Sequence, residues 1–129
     1  KIGKKMIVDI LEFRYLVCAP DLNAHGTLHG GVLLRWIDEA TGMHARKLTN
    51  RVNVTRAMSK IDFISKVKLG EIVLIKSTLN SAGRTSLSFS VDCSEDISAR
   101  NIAKVQKIVF VAIDQHGNPV DHGVDVAKG

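Results

Sequence analysis

Asp38 is a carboxylate at the edge of the polar stripe of a stretch that otherwise reads as a strongly apolar helix, with a glycine pair, Gly30-Gly31, at the start. A carboxylate in that position can attack a carbonyl directly or activate a water. Glycine amides at a helix start lack intrahelical acceptors and point outward, where the dipole favours negative charge, so they can stabilise a carbonyl oxygen as it becomes anionic. Asn23, in a turn-rich loop before the helix, can orient the water or hydrogen-bond the reacting group. Gly42, one turn after Asp38, carries no side chain and leaves space near the carboxylate. Each residue also has a plainer reading. Asp38 can be a boundary residue, Asn23 a turn residue, and the glycines a means of close helix–sheet packing.

These residues need a helix and a frame. On a wheel at ~100° per residue, Arg35, Glu39, Gly42 and Arg46 form one stripe. Val32, Leu33, Leu34, Trp36, Ile37, Ala40, Met43, Ala45 and Leu48 fill most of the rest, which predicts a helix over 30–48 surrounded by protein on most sides. Arg46 and Lys47 suit its last turn, and Asn50 is a plausible terminator. The remainder reads as strands over 6–17, 52–64, 72–79, 87–91 and 102–113, with Ile61 and Phe63 sharing one face of the second. Leu87, Phe89 and Val91 alternate with Ser86, Ser88 and Ser90, so one face is buried and the serines face solvent. Short links predict antiparallel pairing of successive strands, and the tail after Val120 is expected to fray. One sheet wrapped around one long helix makes an α+β domain spanning 1–129. Trp36, Met43 and Phe63 are expected in its core.

Composition narrows the partners. Apolar residues make up 45% and charged residues 24% of the 129, ordinary for a globular chain. No apolar run approaches the ~20 residues of a membrane span, so no membrane association is expected. The net charge of +5 comes from basic residues spread along the sequence. With one Trp, one Tyr and no nucleic-acid motif, nucleic acid is a poor partner. Cys18 and Cys93 lack CxxC spacing and read as reduced thiols in strands, which points to a reducing, cytoplasmic compartment. His29 and His44 fit no metal-ligand spacing and read as structural, so no metal is expected. Lys1 stands first, as in a processed form, and Lys1 to Lys5 lead into no apolar signal core.

The pattern Asp21-x-Asn23-x-x-Gly26-x-x-His29-Gly30-Gly31, followed by Trp36-Ile37-Asp38-Glu39-Ala40-x-Gly42, resembles the hotdog-fold acyl-CoA thioesterases, in particular bacterial short-chain and tandem animal acyl-CoA hydrolases. The resemblance runs on through Ile61-Asp62-Phe63, Leu69-Gly70-Glu71 and the serine-rich strand after Arg84. Lys66 departs from it, where relatives usually carry Pro. The resemblance implies that Asp38 is the catalytic carboxylate, that Asn23 assists it, and that active sites lie at a subunit interface. Some tandem relatives keep only one of the two residues per domain; this chain has both.

Gly31 and Asp38 lie ~10 Å apart along one helix axis, too far for one carbonyl carbon to touch both. Two chains solve this, with Gly31 and Asn23 of one meeting Asp38 of the other. A dimer or trimer of dimers is therefore expected, with an inactive monomer. CoA itself is substrate, with no separate cofactor. Its phosphates and amides have candidate partners in Arg84, Thr85, Ser86, Arg56 and Lys60. Two other readings use the same fold: a non-catalytic acyl-CoA or nucleotide sensor, and a dehydratase, for which the expected Pro-rich surroundings of His29 are missing.

Overall fold

The computed structural model describes residues 10–124. Five strands form, β1 (Ile10–Leu16), β2 (Asn53–Phe63), β3 (Ile72–Ala82), β4 (Ser86–Glu95) and β5 (Asn101–Ala112), and burial alternates with period two along β1, most of β3 and β4. The single long helix, α1, spans Gly30–Thr49. Of the expected first strand, 6–9 lie outside the described residues. The strands form one sheet in the order β1-β3-β4-β5-β2, and every neighbouring pair is antiparallel. Pairing of successive strands therefore holds for β3 with β4 and β4 with β5 but fails across the short link from β2 to β3, and β1 and β2, joined through α1, are not paired either. β2 pairs with β5, and the polar link after it carries the chain across to β3, which lies between β1 and β4. That leaves β2 as an edge strand.

α1 ends as its sequence indicates. Asn50 adopts the left-handed conformation (φ 53°) and its N–H returns to the Arg46 carbonyl. One stripe of the helix packs on the sheet through Leu33, Trp36, Ile37, Ala40, Thr41, His44 and Ala45. The apolar ones, Leu33, Trp36, Ile37, Ala40 and Ala45, join Val73, Ile75, Leu87, Phe89, Val105 and Ile108 in a single cluster. Tyr15 stacks on Trp36, with ring centroids 4.8 Å apart.

The stripe is narrower than the sequence implied. Val32, Leu34 and Leu48 are half-buried and Met43 is 45% exposed, so a single chain leaves one helix face open. Phe63, at 57%, is likewise outside the core, and only Trp36 of the three expected there is buried. The tail is also better ordered than expected as far as Val124. His122 is buried, its Nε2 bonds the Ser86 carbonyl at 2.9 Å, and its backbone N–H donates to the Arg84 carbonyl. The serines of β4 do take the face away from the helix, where they are half-buried.

Gly42 turns out to face Phe110, not the carboxylate. A Cβ there would lie 3.4 Å from the Phe110 ring, an ordinary contact. Because glycine costs roughly 1 kcal/mol relative to alanine inside a helix, Gly42→Ala is expected to leave stability unchanged or raise it by up to about 1 kcal/mol in denaturant unfolding.

Glu71 ties the β2–β3 link to the turn after β4. Arg100 grips it with two hydrogen bonds of 2.9 Å and also reaches the Lys66 carbonyl. The Arg100 side chain and the Lys68 N–H hold the Glu71 carboxyl down at about 2, against an ordinary 4.5. A carboxyl lowered on folding stabilises the fold above its unfolded value and loses that contribution as pH falls towards its folded value. The stability gap between wild type and Glu71→Gln is therefore expected in full above pH 4.5 and to vanish towards pH 2, as read by thermal unfolding across that range. The two cysteines differ sharply. Burial pushes the Cys93 thiol up to about 12, whereas Cys18 is exposed beside the short 3-10 turn at Ala19–Asp21 and not in a strand.

Candidate active site in the groove between the helix and the edge strand

Asp38 is half-buried on the flank of α1 that faces β2. Thr55 of β2 donates its hydroxyl proton to Asp38 Oδ1 at 2.5 Å. Oδ2 has no hydrogen-bond partner among the described residues, and the side chain is half-buried. Thr55 borders a register irregularity, at which Arg56 is skipped in the pairing of β2 with β5. The hydroxyl thus orients the carboxylate and leaves one oxygen available for a proton or a carbonyl carbon. Sequence reading missed Thr55. Its signal was a hydroxyl two positions after Asn53, hence on the same strand face.

At the helix start, the Gly31 N–H donates to His29 Nδ1 at 2.9 Å, with His29 as N-cap. This corrects the expectation that both glycine amides are unpaired. The amides of Gly30 and Val32 have no acceptor among the described residues and are the free donors of the first turn. Gly31 is glycine for a local reason, since a Cβ would sit 3.1 Å from the His29 ring. The exposed Phe63 ring flanks Gly30, 3.8 Å from where its Cβ would be.

Asn23 organises its own loop. Oδ1 accepts from the N–H groups of His25 (2.9 Å) and Thr27 (3.1 Å), and Nδ2 donates to Thr27 Oγ1. Its side-chain bonds stay within that loop, so no bond brings it to Asp38 inside one chain. Gly30 and Gly31 open α1 while Asp38 lies two turns along it. The separation expected from the sequence therefore stands.

Of the candidate CoA contacts, Arg84, Thr85 and Ser86 lie together at the β3–β4 turn. There the Thr85 carbonyl accepts from Ala112 N–H, at the end of β5. Arg56 is beside Thr55, and Lys60 lies further along β2 with a left-handed φ of 53°. The five do not form one cluster. His44 is fully buried with Nδ1 2.9 Å from Ser77 Oγ, and no group of three metal-ligand side chains occurs among the described residues. No helix of the described residues is long and apolar enough to cross a membrane.

A family model described as the thioesterase superfamily matches residues 25–96. Bacillus subtilis YkhA, named an acyl-CoA thioester hydrolase, is 30% identical over 103 residues, covering 78% of this chain. The chain spans only 60% of that relative's length. Staphylococcus aureus acyl-CoA hydrolase, solved with butyryl coenzyme A, coenzyme A and its disulfide, is 28% identical with a TM-score of 0.76, over 88% of this chain and 68% of that one. Variants of the same enzyme, with one Asp, one Asn or one Thr changed to Ala, have also been solved. An apo-hexameric acyl-CoA thioesterase is 27% identical with a TM-score of 0.79, over 88% of this chain and 74% of that one. The sheet order and the helix laid across it are the hotdog fold of these enzymes. With a match that runs from the loop before α1 into the turn after β4, over more than half of the sequence, the chain belongs to the thioesterase superfamily.

Proposed function

We propose that this protein hydrolyses acyl-CoA thioesters to a free acid and CoA, with Asp38 as nucleophile or general base. The observation that carries this reading is the Asp38–Thr55 pair, a carboxylate with one oxygen held and the other without a hydrogen-bond partner among the described residues. The positions of the Asn, Asp and Thr changed in the S. aureus enzyme are separated by the same intervals as Asn23, Asp38 and Thr55 here, which supports a shared site. As a base, Asp38 takes a proton from water while the hydroxide oxygen bonds the thioester carbon. The C–S bond then breaks, and the proton passes to the departing thiolate. The developing oxyanion needs donors, and the free first-turn amides of Gly30 and Val32 supply them, with Gly31 joining if the His29 ring gives way. No redox step or metal is required.

Because those amides lie two turns from Asp38, the site is completed by a second copy that brings its Asn23 loop and helix start. The outer edge of β2 offers free backbone groups for such pairing, and Val52, Val54, Phe63 and Ile64 are exposed along it. The hexameric relative supports assembly beyond the dimer. Release of free thiol from short- to long-chain acyl-CoAs tests the reading, with mass measured in parallel by sedimentation. Turnover by an oligomer is expected. CoA binding without turnover on any chain length would overturn hydrolysis and leave the sensor.

A further inference from the structure

Arg100 lies between β4 and β5, and its guanidinium is devoted to one short segment, the link from β2 to β3. Nη1 and Nη2 each donate to the Glu71 carboxylate at 2.9 Å. Nη2 also reaches the Lys66 carbonyl at 3.0 Å, and Nε donates to Ser65 Oγ at 3.3 Å. Every nitrogen of the guanidinium therefore has a partner within residues 65–71. A planar fork of this kind fixes orientation as well as distance, which a lysine ammonium does not. The Arg100 side chain is 38% exposed, so the ion pair itself adds only modestly to stability. What the fork sets is the position of the link.

That link in turn holds the Asn23 loop. The Leu28 N–H donates to the Val67 carbonyl at 2.8 Å. Thr27 bridges to Lys68, whose own N–H is held by Glu71 Oε1 at 2.7 Å. Thr27 then engages Asn23 twice, its carbonyl accepting the Asn23 N–H at 2.8 Å and its Oγ1 accepting from Nδ2 at 3.1 Å. Leu28 leads directly into His29, the N-cap of α1. On the other flank, Ser65 stands two residues after Phe63, whose ring lies against Gly30. One guanidinium thus fastens both sides of the helix start, Thr27 and Leu28 through residues 66–68 and Gly30 through Ser65 and Phe63. The Asp38 side chain is held separately, by Thr55 near the opposite end of β2.

We propose that Arg100, acting through Glu71, Lys66 and Ser65, is the positioning residue of the Asn23 loop and helix start, the half of the site that one copy brings to Asp38 of another. The inference rests on the two-chain reading of acyl-CoA hydrolysis. Arg100→Ala is expected to lower kcat about tenfold or more with the oligomer intact by sedimentation. Arg14→Ala, which removes the exposed ion pair to Asp96, should leave kcat unchanged. Mixed oligomers separate placement from general loosening. Arg100→Ala chains paired with Asp38→Asn chains should reach about half of wild-type activity, because one of the two equivalent sites takes its Asn23 loop from a chain with Arg100 intact. Paired with Asn23→Ala chains they should stay about tenfold lower. Equal activity in the two mixtures, while Asp38→Asn and Asn23→Ala chains complement each other, would overturn the proposal. Failure of that last pair would sink the two-chain reading instead. Amide hydrogen exchange decides the placement without any turnover. The Thr27 and Leu28 amides should exchange at least about tenfold faster in Arg100→Ala, with the Ala112 amide at the far end of the sheet unchanged. Unaltered exchange at Leu28, or equal acceleration at Ala112, would overturn the proposal. If Arg100→Ala does not fold, Arg100→Lys, which keeps the charge and loses the fork, takes its place in each comparison.

Discussion

Asp38→Asn is expected to lower acyl-CoA hydrolysis about a thousandfold, near 4 kcal/mol of transition-state stabilisation, with the melting temperature almost unchanged. The amide keeps the carboxylate's shape and still accepts from Thr55, so packing is preserved. What disappears is the charge and basicity that would draw a proton from water or attack the thioester carbon. The loss should fall on kcat with KM for CoA thioesters little altered, because the side chain's shape and its bond to Thr55 are kept. Steady-state thiol release with a matched unfolding curve checks both halves. A variant that kept most of its rate would make Asp38 a boundary residue.

Phe89→Ala should do the reverse, costing roughly 3–5 kcal/mol of stability. Phe89 is fully buried in the middle of the sheet, 5.0 Å from the His44 ring and edge-on to Phe110 at 6.1 Å. Its removal leaves a cavity between α1 and β4 that rigid strands cannot close. It also exposes the His44–Ser77 pair, whose 2.9 Å bond is sheltered by that ring. Denaturant unfolding should show a lowered midpoint, while the rate per folded molecule stays near wild type. An unchanged midpoint would mean that the helix rests on the sheet by some other contact.

Much of this architecture was legible because its signals are local. The span of α1, its Asn50 terminator and the serine alternation of β4 follow from period and turn chemistry within a few residues. Strand order was not, because it depends on which partner β2 finds after a crossing link. Hydrophobicity alone does not choose between β3 and β5. Met43 and Phe63 were placed in the core for a related reason. Apolar side chains carry no mark to separate those facing the sheet from those left exposed on one chain.

At the site, Asp38 and Asn23 could be named from spacing and resemblance, and the structure brings Asp38 to Thr55, not to Asn23. Thr55 escaped notice because its role depends on β2 lying beside the middle of α1, which only the fold reveals. The glycine pair was read as two free donors; the His29 ring takes one of them. Gly42 was assigned to the carboxylate and belongs to Phe110. In both cases the sequence marked an unusual position but not the neighbour that explains it.

The central claim is that one active site is assembled from two chains, Asp38 from one and the Asn23 loop with its helix start from the other. A mixed oligomer tests it most directly. Asp38→Asn chains and Asn23→Ala chains, each folded and inactive alone, are co-refolded and assayed for thiol release from an acyl-CoA. Where the two pair, one of the two sites then combines an intact Asp38 with an intact Asn23 loop, and about half of the wild-type activity per mixed pair should return. If the mixture stays at the background of its parents, although mixed oligomers are present, the site lies within a single chain and the account is wrong.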